Sequence, residues 1–184
     1  MTDQECIDRV LSGNTRAFEL LVNRYQSGAT GVAMAVLRDQ HLAKDAVQEG
    51  FLKAYLSLAD FRGESGFATW LYRIVVRISL RRREKELKRM QRKGSLVGKQ
   101  AVSANVGEDR LERQDRYSLI ESVLGSLSTN EALVLRLHYL EELSVREVAR
   151  VTDLSESNVK TLLHRGRKKA QQHVMVKNAQ ENLK

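Results

Sequence analysis

The sequence predicts an all-α fold: two small helical domains joined by a flexible linker, the C-terminal one containing a helix-turn-helix. Three observations carry that expectation. The 184 residues include no proline, and Ala, Leu, Arg, Lys and Glu recur at helical spacing with no convincing strand-like alternation of apolar and polar positions. Ser or Thr followed three positions later by Glu, the capping box that opens a helix, occurs at Thr2/Glu5, Ser128/Glu131 and Ser144/Glu147. From Gly94 to about Asp109 the helical period fades and small residues dominate, which divides the chain into 1–93, a linker at 94–112, and 113–184.

In the first domain, the Thr2/Glu5 box opens a helix carrying Ile7, Val10 and Leu11. After the Gly13-Asn14 break, Ala17, Phe18, Leu21, Val22 and Tyr25 mark a second helix, and a third runs from about Gly31 to Leu37. Between Leu42 and Leu58, Val47, Phe51, Ala54 and Leu58 recur near three- and four-residue steps, so Lys44, Asp45, Gln48, Glu49 and Lys53 form a polar, partly acidic outer face. Phe61-Arg-Gly-Glu-Ser-Gly-Phe67 is a loop by its two glycines and capping serine, and helix resumes from Thr69 with Trp70, Ile74 and Ile78 in line. Beside them Thr69, Arg73, Arg77 and Arg81 step by four, a polar and cationic row that suits a phosphate backbone. Core spacing makes Trp70 a packing residue before it is a base-stacking one.

In the second domain, a helix with Leu119, Ile120, Val123 and Leu124 precedes the Ser128/Glu131 box, which opens a helix with Leu133, Leu135, Leu137 and Tyr139. Leu143 to Lys169 then reads as helix, tight turn and an increasingly basic helix. The Ser144/Glu147 box starts the first of these, with Val145, Val148, Ala149 and Thr152 inward; Asp153 and Leu154 form the turn, where a residue tolerant of left-handed backbone is needed, and Ser155 caps the second. Val159 and Leu162 face inward. Ser157, Asn158, Lys160, Thr161, His164, Arg165, Arg167 and Lys168 are left on the outer face, able to reach base edges and phosphates. A helical hairpin with a solvated basic face fits the same pattern. The tail after Val176 is polar and expected to fray.

Charge narrows the partner. With 31 Lys and Arg against 23 Asp and Glu, the formal net charge of +8 favours a polyanion, and the excess gathers in two blocks, Arg81 to Lys93 and Lys160 to Lys169. The single cysteine, Cys6, cannot close an internal disulfide and has no metal-spaced neighbours, which points to a reducing compartment, the cytoplasm. No apolar run approaches bilayer length, and the N-terminus lacks a signal-peptide pattern. His41, His138, His164 and His173 form no ligand-spaced cluster and no glycine-rich phosphate loop follows a strand, so neither metal, cofactor nor enzymatic activity is expected.

Both halves together resemble the extracytoplasmic-function (ECF) group of bacterial sigma factors, which carry only the second and fourth conserved sigma regions. In the first half the resemblance rests on Arg16-Ala-Phe-Glu-Leu-Leu-Val-Asn-Arg-Tyr25, Ala43-Lys-Asp-Ala-Val-Gln-Glu-Gly-Phe-Leu-Lys-Ala-Tyr55 and Phe61-Arg-Gly-Glu-Ser-Gly-Phe-Ala-Thr-Trp-Leu-Tyr-Arg-Ile74. In the second half it rests on Leu143-Ser-Val-Arg-Glu-Val-Ala149 and Asn158-Val-Lys-Thr-Leu-Leu-His-Arg-Gly-Arg-Lys-Lys169. The resemblance implies that Asp45, Gln48, Glu49 and Lys53 bind the clamp coiled coil of the largest subunit of core RNA polymerase. It further implies that the segment Arg62 to Arg83, through Arg62, Ser65, Thr69, Arg73, Arg77 and Arg81, binds the melted non-template strand of a promoter's minus-10 element. The basic helix would read the minus-35 element as duplex DNA, and an anti-sigma factor would bury these faces until a signal arrives. Three positions depart from the family pattern: Arg77 stands where asparagine is common, Leu127-Ser128 replaces Leu-Pro, and Asp153 replaces the turn glycine. Rival readings are a dimeric helix-turn-helix activator and a helical adaptor that binds only protein.

Overall fold

The structure, a computed structural model, describes residues 1–92 and 111–181; the expected linker lies outside the described residues except for Leu111 and Glu112, which already belong to a helix. Among the described residues there are α-helices and short helical turns and no strand.

Helix α1 (Asp3–Leu11) opens on the expected box, the Thr2 hydroxyl accepting from the Glu5 amide at 3.2 Å while the Thr2 amide donates to the Glu5 carboxylate at 2.8 Å. The chain turns at Gly13, whose φ of 101° is open to glycine alone at low cost. Helix α2 then runs unbroken from Ala17 to Leu37, correcting the expectation of two helices there. Gly28 and Gly31 do not break it. Ample hydrogen-bonded helix flanks them, and a close neighbour, described below, takes the space their missing side chains leave.

Helix α3 (Gln40–Leu56) is capped by Asp39, whose carboxylate accepts from the Leu42 amide at 2.9 Å, and a 3-10 turn at Leu58–Asp60 leads into the loop before α4 (Phe67–Arg92). Helices α2, α3 and α4 pack pairwise around Leu21, Val32, Val36, Leu58, Phe67, Leu71, Val75 and Val76, all nearly inaccessible, with α1 closing one side through Ile7. Gly50 on α3 lets α4 come close, since a Cβ there would sit 2.7 Å from Val75 Cγ2. Trp70 is half-buried against Phe61 and Phe67, with ring centroids 5.2 and 5.7 Å away, so it packs as expected.

The second unit comprises α5 (Leu111–Ser126), α6 (Thr129–Leu135) continued by a π-turn at Arg136–Leu140, α7 (Val145–Thr152) and α8 (Glu156–Glu181), the last extending beyond the point where fraying was expected. Ser128/Glu131 and Ser144/Glu147 both form full capping boxes. Asp153 takes the left-handed conformation (φ 55°, ψ 30°), and the Ser155 hydroxyl accepts from the Asn158 amide at 3.2 Å. The core differs from expectation in two places: Val151 is buried with Val148, and Leu163 lies deeper than Leu162. For Leu163 the setting is the crossing of α8 over α6, where buried Gly166 brings the helices close and a Cβ would meet Leu135 Cδ1 at 2.9 Å.

The two units pack on each other: α7 lies across α4, and α6 with its π-turn lies along α2. The Arg136 guanidinium, almost fully buried, occupies the space over Gly31, where any Cβ would overlap it. Beside it the Tyr72 hydroxyl donates to Glu141 at 2.6 Å over Gly28, and burial followed by that bond pushes the phenol well above its usual range, keeping it a donor. Arg38, itself left-handed at the end of α2, donates to the Gly125 and Leu127 carbonyls, answering acceptors that the end of α5 leaves free.

Candidate nucleic-acid interface

Three faces bear on function. The first is the outer side of α8. Val159, Leu163 and Gly166 are buried along one line of the helix, so at 3.6 residues per turn Ser157, Thr161, His164 and Lys168 fall on the opposite line, with Asn158, Lys160, Arg165 and Arg167 flanking them. All eight are exposed. The tight turn at Asp153 and the Ser155 cap set where this helix starts, and Lys169 anchors it from behind by donating to both Glu131 oxygens at 2.8 and 2.9 Å. That bond, the largest influence, together with those from Ser128, outweighs burial and holds the Glu131 carboxyl below the ordinary glutamate range.

The second face is the loop and first half of α4. Gly63 turns the loop with a φ of 68°, leaving Arg62 exposed and Ser65 half-buried. The row along α4 is present, but it is not the open cationic stripe that spacing alone suggests. Thr69 is 3% exposed and its hydroxyl donates to Glu147 at 3.2 Å. Arg73 donates to one oxygen of Asp153 at 2.6 Å, and Arg77 to the other at 3.1 Å. Arg150 donates to the Glu64 carbonyl at 3.0 Å. The reason is the placement of α7 against α4, a contact between residues some eighty positions apart that helical periodicity does not encode. Arg81 remains exposed. Partial burial pushes the Asp153 carboxyl up, but the bonds from Arg73 and then Arg77 outweigh it and hold it below the ordinary aspartate range.

The third face is α3. Asp45, Gln48 and Lys53 are exposed, as the sequence suggested, whereas Glu49 is half-buried. What the sequence reading missed is its apolar share and its tether: Leu52 and Leu56 stand 59% and 73% exposed on the same face, and Arg82 of α4 reaches Glu49 at 2.8 Å and Asp45 at 3.6 Å. Hydrogen bonds from Arg82 and then Lys53 hold Glu49 below its ordinary range. Leu52 and Leu56 stand at Gln48 plus four and plus eight, a signal available in the sequence; Arg82 was hidden within a basic block.

Among the described residues no helix is long and apolar enough to cross a membrane, and no group of His, Cys, Asp and Glu has the makings of a metal site. The three faces differ in character: a basic outer helix, an Arg-lined row paired with acidic groups, and a mixed polar–apolar helix.

Comparison with known proteins agrees in both halves. Residues 21–89 match the family described as Sigma-70 region 2, and residues 117–169 match Sigma-70, region 4. The fold is similar to that of CnrH, solved in complex with the cytosolic domain of CnrY, with a TM-score of 0.66 and 26% identity over 95% of this chain and 97% of that one. It is also similar to the sigma factor RpoE of Bartonella quintana, solved with the anti-sigma factor NepR, with a TM-score of 0.71 and 19% identity over 86% of this chain and 97% of that one. Over 175 residues the sequence is 30% identical to the ECF RNA polymerase sigma-E factor of Haemophilus influenzae, spanning 91% of this chain and 92% of that protein. With both sigma regions present in order and a curated relative matched along nearly its whole length, the chain belongs to the ECF group of RNA polymerase sigma factors.

Proposed function

We propose that this sigma factor is a dissociable specificity subunit that docks on core polymerase through α3, holds the melted minus-10 strand along α4 and reads minus-35 duplex with α8. The functional units are 1–93 and 113–184, linked through 94–112. The observation that carries this reading is the outer face of α8, where eight polar and basic side chains stand exposed opposite a fully buried line. Such a helix offers bidentate donors for base edges and cations for phosphates, each good base pairing giving roughly 1–3 kcal/mol of discrimination. On α3, Asp45, Gln48, Glu49 and Lys53 with Leu52 and Leu56 supply the polar rim and apolar centre of a protein-binding patch. Arg62, Ser65, Thr69, Arg73, Arg77 and Arg81 line the strand path. Sigma factors act by placing polymerase, and this chain performs no covalent chemistry itself; its site of action is the cytoplasm. An anti-sigma factor controls it, in keeping with family membership.

Run-off transcription with core enzyme on a randomised promoter library tests the reading. The expected result is initiation at two-part promoters only when the chain is added. Failure of the purified chain to associate with core polymerase, together with dimeric binding to palindromic duplex, would replace this reading with that of a conventional activator.

A further inference from the structure

Helix α4 carries charge on two sides. At 3.6 residues per turn, Arg82 lies about 140° round the helix from Arg77 and about 180° from Arg73, so it leaves the row and meets α3. There its guanidinium spans two acids one helical turn apart, reaching Glu49 Oε2 at 2.8 Å and Asp45 Oδ2 at 3.6 Å. Lys53 reaches the other Glu49 oxygen at 2.9 Å. Asp45, Arg82, Glu49 and Lys53 thus make one line of alternating charge on the face that also shows Leu52 and Leu56.

Like charges at i and i+4 on a helix repel, and long side chains on an open face lose rotamer freedom when a partner fixes them. The rigid Arg fork can hold two carboxylates at once, whereas a lysine offers a compact point charge. Glu49 is held at both oxygens, and Asp45, 62% exposed, is tied through a single oxygen among the described residues. A partner therefore meets both acids already ordered, with Asp45 the more open acceptor.

We infer that Arg82 is a positioning residue for polymerase docking: from the middle of the arginine triplet at 81–83 it orders Asp45 and Glu49 on α3 before core enzyme arrives, and it makes no contact with the strand. Affinity for core thus depends on a residue of the helix that carries the cationic row. This role rests on the reading of α3 as the docking face.

The test measures the affinity of the full, labelled chain for core RNA polymerase by anisotropy, its affinity for oligo(dT) without polymerase, and its urea midpoint. Arg82→Gln removes the charge, Arg82→Lys keeps the charge and loses the fork, and Lys85→Gln, an exposed cation of the same block, controls for charge alone. Arg82→Gln is expected to weaken core binding by roughly three- to tenfold, the scale of ordering a long side chain on association. Arg82→Lys should recover only part of that loss, and Lys85→Gln should bind core as wild type does. The double variant Arg82→Gln with Glu49→Gln should lose no more than the larger single loss, and oligo(dT) affinity in Arg82→Gln should fall no further than in Lys85→Gln. Tighter core binding by Arg82→Gln would mean that Arg82 merely competes with the polymerase for the two carboxylates, and overturns the positioning role. So does a core affinity that falls only in step with the urea midpoint, which makes Arg82 a stabilising tether, or a loss of oligo(dT) affinity well beyond that of Lys85→Gln, which makes it a strand contact. Leu52→Gln with Leu56→Gln leaves the charge line intact and tests the face itself. Unchanged core affinity in that variant overturns α3 as the docking face and the role of Arg82 with it; a loss there, beside unchanged binding by Arg82→Gln, overturns the role of Arg82 alone.

Discussion

At the residue scale, Arg77 is where the proposed minus-10 reading is most directly tested. Its side chain is 57% exposed and its contact is with a carboxylate of the other unit, so nothing in its own unit commits it to a structural role. A guanidinium presents a rigid fork suited to phosphate or to two acceptors on one base, whereas an asparagine presents one donor pair and one acceptor. Arg77→Asn should therefore change base preference within the minus-10 element while leaving minus-35 preference intact, read by sequencing run-off products from the randomised library. An unchanged preference would remove Arg77 from base reading. Glu131 poses a different residue-scale question, because its carboxylate is buried and tied to Lys169 and Ser128. Its folded-state pKa is lowered, so its contribution to stability is complete above the ordinary glutamate value of about 4.3 and is lost as pH falls through the lowered value. Glu131→Gln should destabilise the second unit at pH 7 and flatten its loss of stability in acid, measured by urea midpoints; an acid limb as steep as wild type would assign that limb to other carboxylates.

At the scale of elements, what was legible in the sequence was local. Each capping box is closed by side chains three residues apart, so Thr2/Glu5, Ser128/Glu131 and Ser144/Glu147 could be read directly, as could the left-handed turn at Asp153. The outward set on α8 was legible because one buried line determines the opposite one. What failed was non-local. The continuity of α2 through Gly28 and Gly31 could not be read locally, because Tyr72, Arg136 and Glu141, which fill the space over them, are remote in sequence, and the α4 row looked free because α7 was not in view. Leu162 and Leu163 could not be ranked without knowing where Gly166 brings α6. The α7 start offers a direct check. Ser144 satisfies the Glu147 amide and is itself tied to the Glu147 carboxylate, so Ser144→Ala should cost about 1 kcal/mol in chemical denaturation. Because Glu147 also accepts from Thr69, the same change should loosen α7 from α4, seen as faster amide exchange in both helices. Exchange altered in α7 alone would show that the cap and the inter-unit contact are uncoupled.

For the whole molecule, charge acts in two opposing ways. The chain carries a net +8, and binding a strand releases counterions, so affinity must fall as salt rises, with a slope of about −0.7 per phosphate contacted on single-stranded DNA. The contact between the units is also partly electrostatic, since the pairs of Arg73 and Arg77 with Asp153 are about half exposed and exposed ion pairs weaken as salt rises. Added salt thus weakens both the bound complex and the internal pairs that compete with it. In wild type, part of the counterion effect is offset because the competitor weakens too; in Asp153→Asn that offset is gone. The slope of log affinity against log salt for oligo(dT) should therefore be steeper in Asp153→Asn than in wild type, by up to roughly 1.4, the value of two contacts at about 0.7 each. The two lines should converge at high salt, where the pairs no longer hold. Parallel lines, with a constant gap between the proteins, would mean that the effect of Asp153 is not electrostatic and that it does not compete for the α4 arginines.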